Sequence, residues 1–188
     1  MSDTPPNHPS PQPVKIATRR GDDGQTDLLF GQRVPKDHPQ VEAVGAVDEI
    51  NAALGLARAF ATLKQHRRII REVQKDLILL MGELSVPPGK DEAYGDSKLP
   101  KFTEHSLAAL DGVVSHLESL PLATPGWALP GQTTEGAFLD QARVCTRRAE
   151  RLVISLEKSC GRTVRPLLLQ YMNRLSDLLW LMARQTEK

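Results

Sequence analysis

Apolar residues recur at steps of three and four through five separate stretches of this chain, the pattern of helices that bury one face. Val41, Val44, Val47, Ile50, Leu54 and Ala57 mark the first, which runs from a start at Asp37–Pro39 to about Ala61. Asp37 is the cap candidate there, and Pro39 suits a first turn, where its missing N–H has no partner to lose. Ile69, Ile70, Val73, Leu77, Leu80, Met81 and Leu84 mark a second helix over 62–84. Thr103 caps a third, carrying Leu107, Leu110, Val113, Val114 and Leu117. The fourth spans about 134–159, with Phe138, Ala142, Cys145, Ala149, Leu152, Val153 and Leu156 on one face. Pro166 opens the fifth, which Met172, Leu175, Leu178, Leu179 and Met182 carry to about Gln185. Five amphipathic helices with turn-forming joints predict an all-α, five-helix antiparallel bundle.

Between the helices the chain is broken by proline and glycine. Five of the fourteen prolines fall in residues 1–13, so 1–14 is expected to be a disordered tail ahead of one domain over 15–188. Pro87-Pro88-Gly89, Gly95 and Pro100 predict a mobile loop over 86–101, and Pro121, Pro125, Gly126, Pro130 and Gly131 break the chain again. Extended pairing is expected at most over a few residues near Val14–Ala17.

Composition narrows the function classes. A formal net charge of +1 gives no general pull toward nucleic acid, and the sparse aromatics show no run interleaved with basic residues for base stacking. No apolar run is long enough to span a membrane, and no leader pattern opens the chain, so a cytoplasmic protein is expected. Cys145 and Cys160 form no CxxC, and the five histidines form no HxxxH pair, so no protein-held metal is expected.

The candidate chemistry lies in three places. Arg143, Arg147, Glu150 and Arg151 fall at i, i+4, i+7 and i+8 of the fourth helix, which stacks three guanidiniums along one face with Glu150 able to hold one of them. That face is either an anion grip or a solvated stripe of ion pairs. The loop Thr18-Arg19-Arg20-Gly21-Asp22-Asp23-Gly24-Gln25-Thr26 can aim backbone N–H groups at a phosphate, with Lys36 nearby, or be an ordinary turn. Trp127, among breakers, is either a plug for the bundle end or a ligand contact. Asp48 and Asn51 share a face of the first helix, while Asn173 and Asp177 project away from the apolar stripe of the fifth.

Taken in order, these stretches resemble the PduO-type ATP:cob(I)alamin adenosyltransferases, the family of the methylmalonic aciduria type B protein. The resemblance rests on Thr18–Thr26 running to Pro35-Lys36-Asp37, on Val41–Asn51 around Asp48, on Ala142–Arg151, and on Asn173-Arg174-Leu175-Ser176-Asp177. It implies a homotrimer with sites between subunits and transfer of the 5′-deoxyadenosyl group of ATP to the cobalt of cob(I)alamin. ATP with Mg²⁺, and cob(II)alamin or cob(I)alamin, are the implied substrates. A cobalamin reductase and an adenosylcobalamin-dependent acceptor enzyme are the implied partners. By the same resemblance Thr18, Arg19, Arg20, Gly21, Thr26, Asp27 and Lys36 belong to the ATP loop. Arg147, Arg148, Ala149, Glu150 and Arg151 would grip the triphosphate, Asn173 would contact ATP, and Asp48 and Arg143 would bridge subunits beside the corrin. The family's Phe-x-Leu-Pro-Gly-Gly stands here as Trp127-Ala128-Leu129-Pro130-Gly131-Gln132, which puts a larger ring at the wedge position and a glutamine where a glycine is usual.

Overall fold

Pro39 forces the residue before it into extended backbone, so the first helix takes His38 as its cap in place of Asp37. His38 Nδ1 accepts the Gln40 N–H at 3.2 Å, and helix α1 (Pro39–Phe60) follows. In the computed structural model, which describes residues 16–121 and 127–187, the remaining helices are α2 (Lys64–Leu84), α3 (Asp91–Asp96), α4 (Glu104–Glu118), α5 (Thr134–Cys160) and α6 (Pro166–Gln185). The tail over 1–14 lies outside the described residues, as do Pro125 and Gly126.

The five long helices are those the periodicity predicts, within two residues at each end. Each buries its apolar stripe in one core, where Ala43, Ala46, Ala53 and Ala57 give α1 a low face against α5. Successive long helices alternate in direction. Gln40, at the start of α1, donates to the carbonyls of Leu84 (2.6 Å) and Val86 (2.7 Å) at the end of α2. Phe60, at the end of α1, stacks 5.2 Å from Phe138 near the start of α5. An odd number of alternating helices in a closed ring must set two like-directed neighbours side by side, and here they are α4 and α6. Arg165 donates to the Phe102 carbonyl at 2.8 Å where both begin, and Arg174 pairs with Asp111 further along both.

Two elements depart from expectation. The 86–101 segment contains the short helix α3 and is packed on the bundle: Tyr94 is buried, its hydroxyl donates to Pro100 O at 3.2 Å, and the Lys101 ammonium sits 4.3 Å from its ring. Six residues are too few to show a helical period. The extended pairing occurs at Gln25–Asp27 (β1) with Arg33–Pro35 (β2), an antiparallel hairpin, and not at Ile16–Ala17. Leu28 and Val34 are buried beneath it, and the Leu29 N–H donates to Ser85 O at 2.9 Å, which anchors the hairpin to the end of α2.

Polar groups lock the ends of the bundle. His66 on α2 is buried against Glu135 of α5, Nδ1 to Oε1 at 2.5 Å, and its Nε2 lies 3.2 Å from Gln185 Oε1 on α6. Thr133 caps α5 through the Gly136 N–H at 2.9 Å and pairs with the Thr186 hydroxyl at 2.6 Å. A Cβ on Gly136 would stand 2.7 Å from Thr186 Oγ1 and 2.8 Å from Thr133 Oγ1, so glycine is what lets α6 close on this cap. On the far side of the core, Asp76 accepts from Ser106 (2.7 Å) and Tyr171 (3.0 Å). Burial first, and that carboxylate second, hold the Tyr171 phenol well above its ordinary pKa.

Candidate active site

The arginine stripe of α5 divides by partner. Arg143 is half-buried, and its Nε donates to Asp140 Oδ1 at 3.0 Å, one turn back on the same helix. Arg148 leaves the stripe and pairs with Glu49, and more distantly with Glu42, both on α1. Arg147 and Arg151 are exposed and have no ion pair among the described residues. Glu150 holds no arginine among the described residues; it faces Asn173 of α6, whose Nδ2 stands 3.4 Å from Glu150 Oε1. Ala149 is wholly buried, so its methyl belongs to the core and only its neighbours reach solvent.

The N-terminal loop is built around a residue that motif reading passes over. Arg33 Nη2 donates to the Arg20 carbonyl at 3.0 Å and to Asp23 at 3.2 Å, and its Nη1 lies 3.6 Å from Asp27. Arg20 in turn lies 3.3 Å from Asp27. The Gln25 N–H donated to Asp23 at 3.0 Å, with Arg33 behind it, keeps the Asp23 carboxyl below its ordinary pKa. Gly24 takes the left-handed turn at φ 79°, but Gly21 does not; Arg19 does, at φ 60°. Gly21 serves close approach. A Cβ there would meet Lys36 Cε and Nζ at 3.1 Å and Gln25 O at 3.2 Å, so the Lys36 side chain lies directly across the loop. Thr18 Oγ1 is 3.5 Å from the Arg20 N–H, and Thr26 is half-buried in β1.

The third component is a cavity of about 390 Å³ between the 127–130 segment and the facing ends of α5 and α6. Trp127, Ala128, Pro130, Asp140, Arg143, Trp180 and Arg184 line it. Trp127 is fully exposed in this chain, so it is not a plug for the bundle end. Asp140 is buried and shared: Oδ1 takes Arg143, and Oδ2 takes Arg184 Nη2 at 2.5 Å. Arg184, itself only 2% exposed, also donates to Glu187 at 2.8 Å and lies 5.7 Å from the Trp180 ring centre. Asp48 is exposed on α1 and has no ion pair among the described residues, so within one chain it does not meet Arg143.

Arg33, Asp140, Trp180 and Arg184 belong to no motif in the sequence, yet the structure places them at the loop and the cavity. Asp140 carried a signal, because it stands three residues before Arg143 and so at the head of the same stripe. Arg184 carried none: at the polar end of α6 it reads as a solvated cation, and only the docking of α5 buries it.

A helical bundle with two exposed guanidiniums on α5 that have no ion pair among the described residues, and a mixed polar and aromatic cavity at the start of the same helix, is suited to binding an anionic ligand. The chain belongs to the cobalamin adenosyltransferase family, whose sequence model matches residues 16–186. It is 39% identical over 174 residues to the corrinoid adenosyltransferase PduO of Salmonella typhimurium, covering 91% of this chain and 49% of that protein. The chain thus spans about half the length of the PduO relatives it matches. A corrinoid adenosyltransferase of Citrobacter freundii is 35% identical over 176 residues, covering 92% of this chain and 95% of the relative. A solved variant of a PduO-type ATP:corrinoid adenosyltransferase from Lactobacillus reuteri, complexed with cobalamin and ATP, superposes with a TM-score of 0.81 at 28% identity. That match covers 92% of this chain and 93% of the other.

Proposed function

We propose that this chain is an ATP:cob(I)alamin adenosyltransferase, which moves the 5′-deoxyadenosyl group of ATP onto cobalt and releases triphosphate. The observation that carries the proposal is the state of Arg147 and Arg151 in a chain of this family. They are exposed without a carboxylate partner among the described residues, while Arg143 and Arg148 beside them are both paired. Exposed guanidinium forks on a rigid helix are suited to an oligophosphate.

The chemistry asks little of a protein base. Co(I) supplies the electron pair for the new Co–C5′ bond, the C5′–O5′ bond breaks, and its electrons leave on the triphosphate. The protein's work is to align the two substrates and to meet the charge growing on the leaving group. In this reading Arg147, Arg151 and Lys36 meet that charge, with Thr18, Arg19, Arg20, Gly21, Thr26 and Asp27 forming the nucleotide loop and Asn173 orienting ATP. Among the described residues no three His, Cys, Asp or Glu side chains cluster as metal ligands. Mg²⁺ would arrive on the nucleotide, drawing most of its ligands from phosphate and water.

The cavity between Trp127 and Trp180 is assigned to the corrin, where the Trp127 ring would cover one face of the bound ligand and exclude water. A homotrimer is part of the proposal. Asp48 has no ion pair among the described residues, and Leu56, Phe60, Val144 and Ile154 expose apolar surface on α1 and α5, as faces covered by a second copy do. A cobalamin reductase would feed this site, and an adenosylcobalamin-dependent enzyme would take its product.

The test is anaerobic incubation with ATP, Mg²⁺ and chemically reduced cobalamin. The light-sensitive spectrum of adenosylcobalamin should appear with stoichiometric triphosphate; a folded protein yielding neither would end the proposal. Gly21→Ala provides a narrower check. Its methyl would stand 3.1 Å from Lys36 Cε and Nζ and 3.2 Å from the Gln25 carbonyl, so the Lys36 end must shift by a few tenths of an ångström. ATP should bind about tenfold more weakly, the scale of one lost charged hydrogen bond, with cobalamin affinity unchanged. Calorimetric titration of each ligand separates the two.

A further inference from the structure

One wall of the proposed corrin cavity is a chain of ion pairs among its own lining residues. Arg143 is a long side chain whose conformation on an isolated helix would be free, and ordering it at the moment of binding would cost affinity. Here its Nε is already held by Asp140 Oδ1 at 3.0 Å. Asp140 cannot rotate away, because its second oxygen is held at 2.5 Å by Arg184. Arg184 cannot follow Arg143 into solvent, because it is 2% exposed and also bonded to Glu187 at 2.8 Å. The same guanidinium lies 5.7 Å from the Trp180 ring centre, so it fixes a second wall of the cavity as well. Arg143 lines the cavity, and its terminal nitrogens make no hydrogen bond or ion pair among the described residues.

We infer that Asp140 and Arg184 are positioning residues for corrinoid binding: the Arg184–Asp140 pair clamps Arg143 in its ligand-ready conformation and pins the Trp180 ring behind it. The inference rests on the assignment of this cavity to the corrin. Both line the cavity but are only 4% and 2% exposed, so their reach is through Arg143 and Trp180. Their effect should therefore fall on the corrin side of the reaction and spare the nucleotide side, a division that a general loss of packing would not produce.

Trp127 and Trp180 are the chain's two tryptophans, and both line the cavity. Quenching of tryptophan fluorescence by cob(II)alamin thus reports binding there without turnover. Asp140→Asn keeps the shape but places an amide N–H against one of two guanidiniums. Arg184→Lys keeps the charge but cannot hold Asp140 and Glu187 with one planar fork. For both variants the cobalamin midpoint is expected to rise about tenfold, the scale of one charged hydrogen bond, while the ATP concentration giving half-maximal thermal protection stays at the wild-type value. In steady state the KM for cobalamin should rise with that for ATP unmoved. Unchanged cobalamin affinity in the variants would overturn the inference. So would equal weakening of ATP and cobalamin, or unfolding of both variants by circular dichroism, since each assigns the network to stability alone. Absence of quenching in the wild-type protein would instead remove the corrin assignment of the cavity itself.

Discussion

Arg147→Ala should lower the adenosylation rate on the order of 10²–10³-fold, the cost of removing one preorganised donor from a developing anion. The thermal midpoint should not move. The side chain is exposed, makes no ion pair among the described residues and covers no core position, so its loss belongs to the surface substitutions that stay within about 0.5 kcal/mol. Arg148→Ala, one residue on, should show a different profile. That guanidinium is spent on Glu49 and Glu42 across the α1–α5 seam, and a partly exposed pair of this kind stabilises by at most about 1 kcal/mol. Its rate should stay near wild type. Initial rates beside melting curves for the two variants distinguish a phosphate grip from an ion-pair face. A normal rate for Arg147→Ala would show that the stripe only solvates α5.

The second large effect is on stability and lies at the opposite extreme of burial. Glu135→Ala should destabilise the protein by roughly 3 kcal/mol, because it orphans the buried His66 ring and the Thr62 N–H together. Glu135 Oε1 holds His66 at 2.5 Å, while Oε2 accepts the Thr62 N–H at 2.8 Å and its hydroxyl at 3.0 Å. These bonds join the start of α2 to the start of α5, and His66 reaches on to α6 through Gln185. For a chain of this length the loss should lower the melting midpoint on the order of 10 °C. Glu135→Gln, which keeps an acceptor for one partner, should lose less. Thermal unfolding of the pair, read by circular dichroism, checks both; equal midpoints for Glu135→Ala and wild type would show that the cluster adds nothing to stability.

The family relationship and the two predictions meet on α5. One helix carries a core face of Leu139, Ala142, Ala149, Val153 and Leu156, a latch residue at its first turn, a buried carboxylate at Asp140 and two exposed guanidiniums beyond it. Its length of 27 residues lets a single rigid element serve the bundle end, the cavity and the proposed phosphate grip. Along that helix Asp140 holds Arg143, while Arg148 is paired with Glu49 and Glu42 across the α1–α5 seam.

Much of this was legible in the order of residues. Helix periodicity is a local property, so the apolar steps of α1, α2, α4, α5 and α6 and the turn at Gly161 located five helices before any packing was known. The i,i+4 spacing likewise put Arg143, Arg147 and Arg151 on one face, and the ordered motifs indicated the family that the comparison over residues 16–186 shows. What stayed hidden depends on residues far apart in the chain. Short α3 and the three-residue strands are too brief to show a period. The parallel setting of α4 and α6 follows from closing a ring of five alternating helices, which no single helix encodes. Arg148 and Arg147 have the same chemistry and adjacent positions, yet a turn of about 100° per residue aims one at α1 and the other at solvent. Arg184 reads as a solvated cation until α5 brings Asp140 against it, because burial of a charge is decided by the partner that packs on it and not by its own neighbours in sequence.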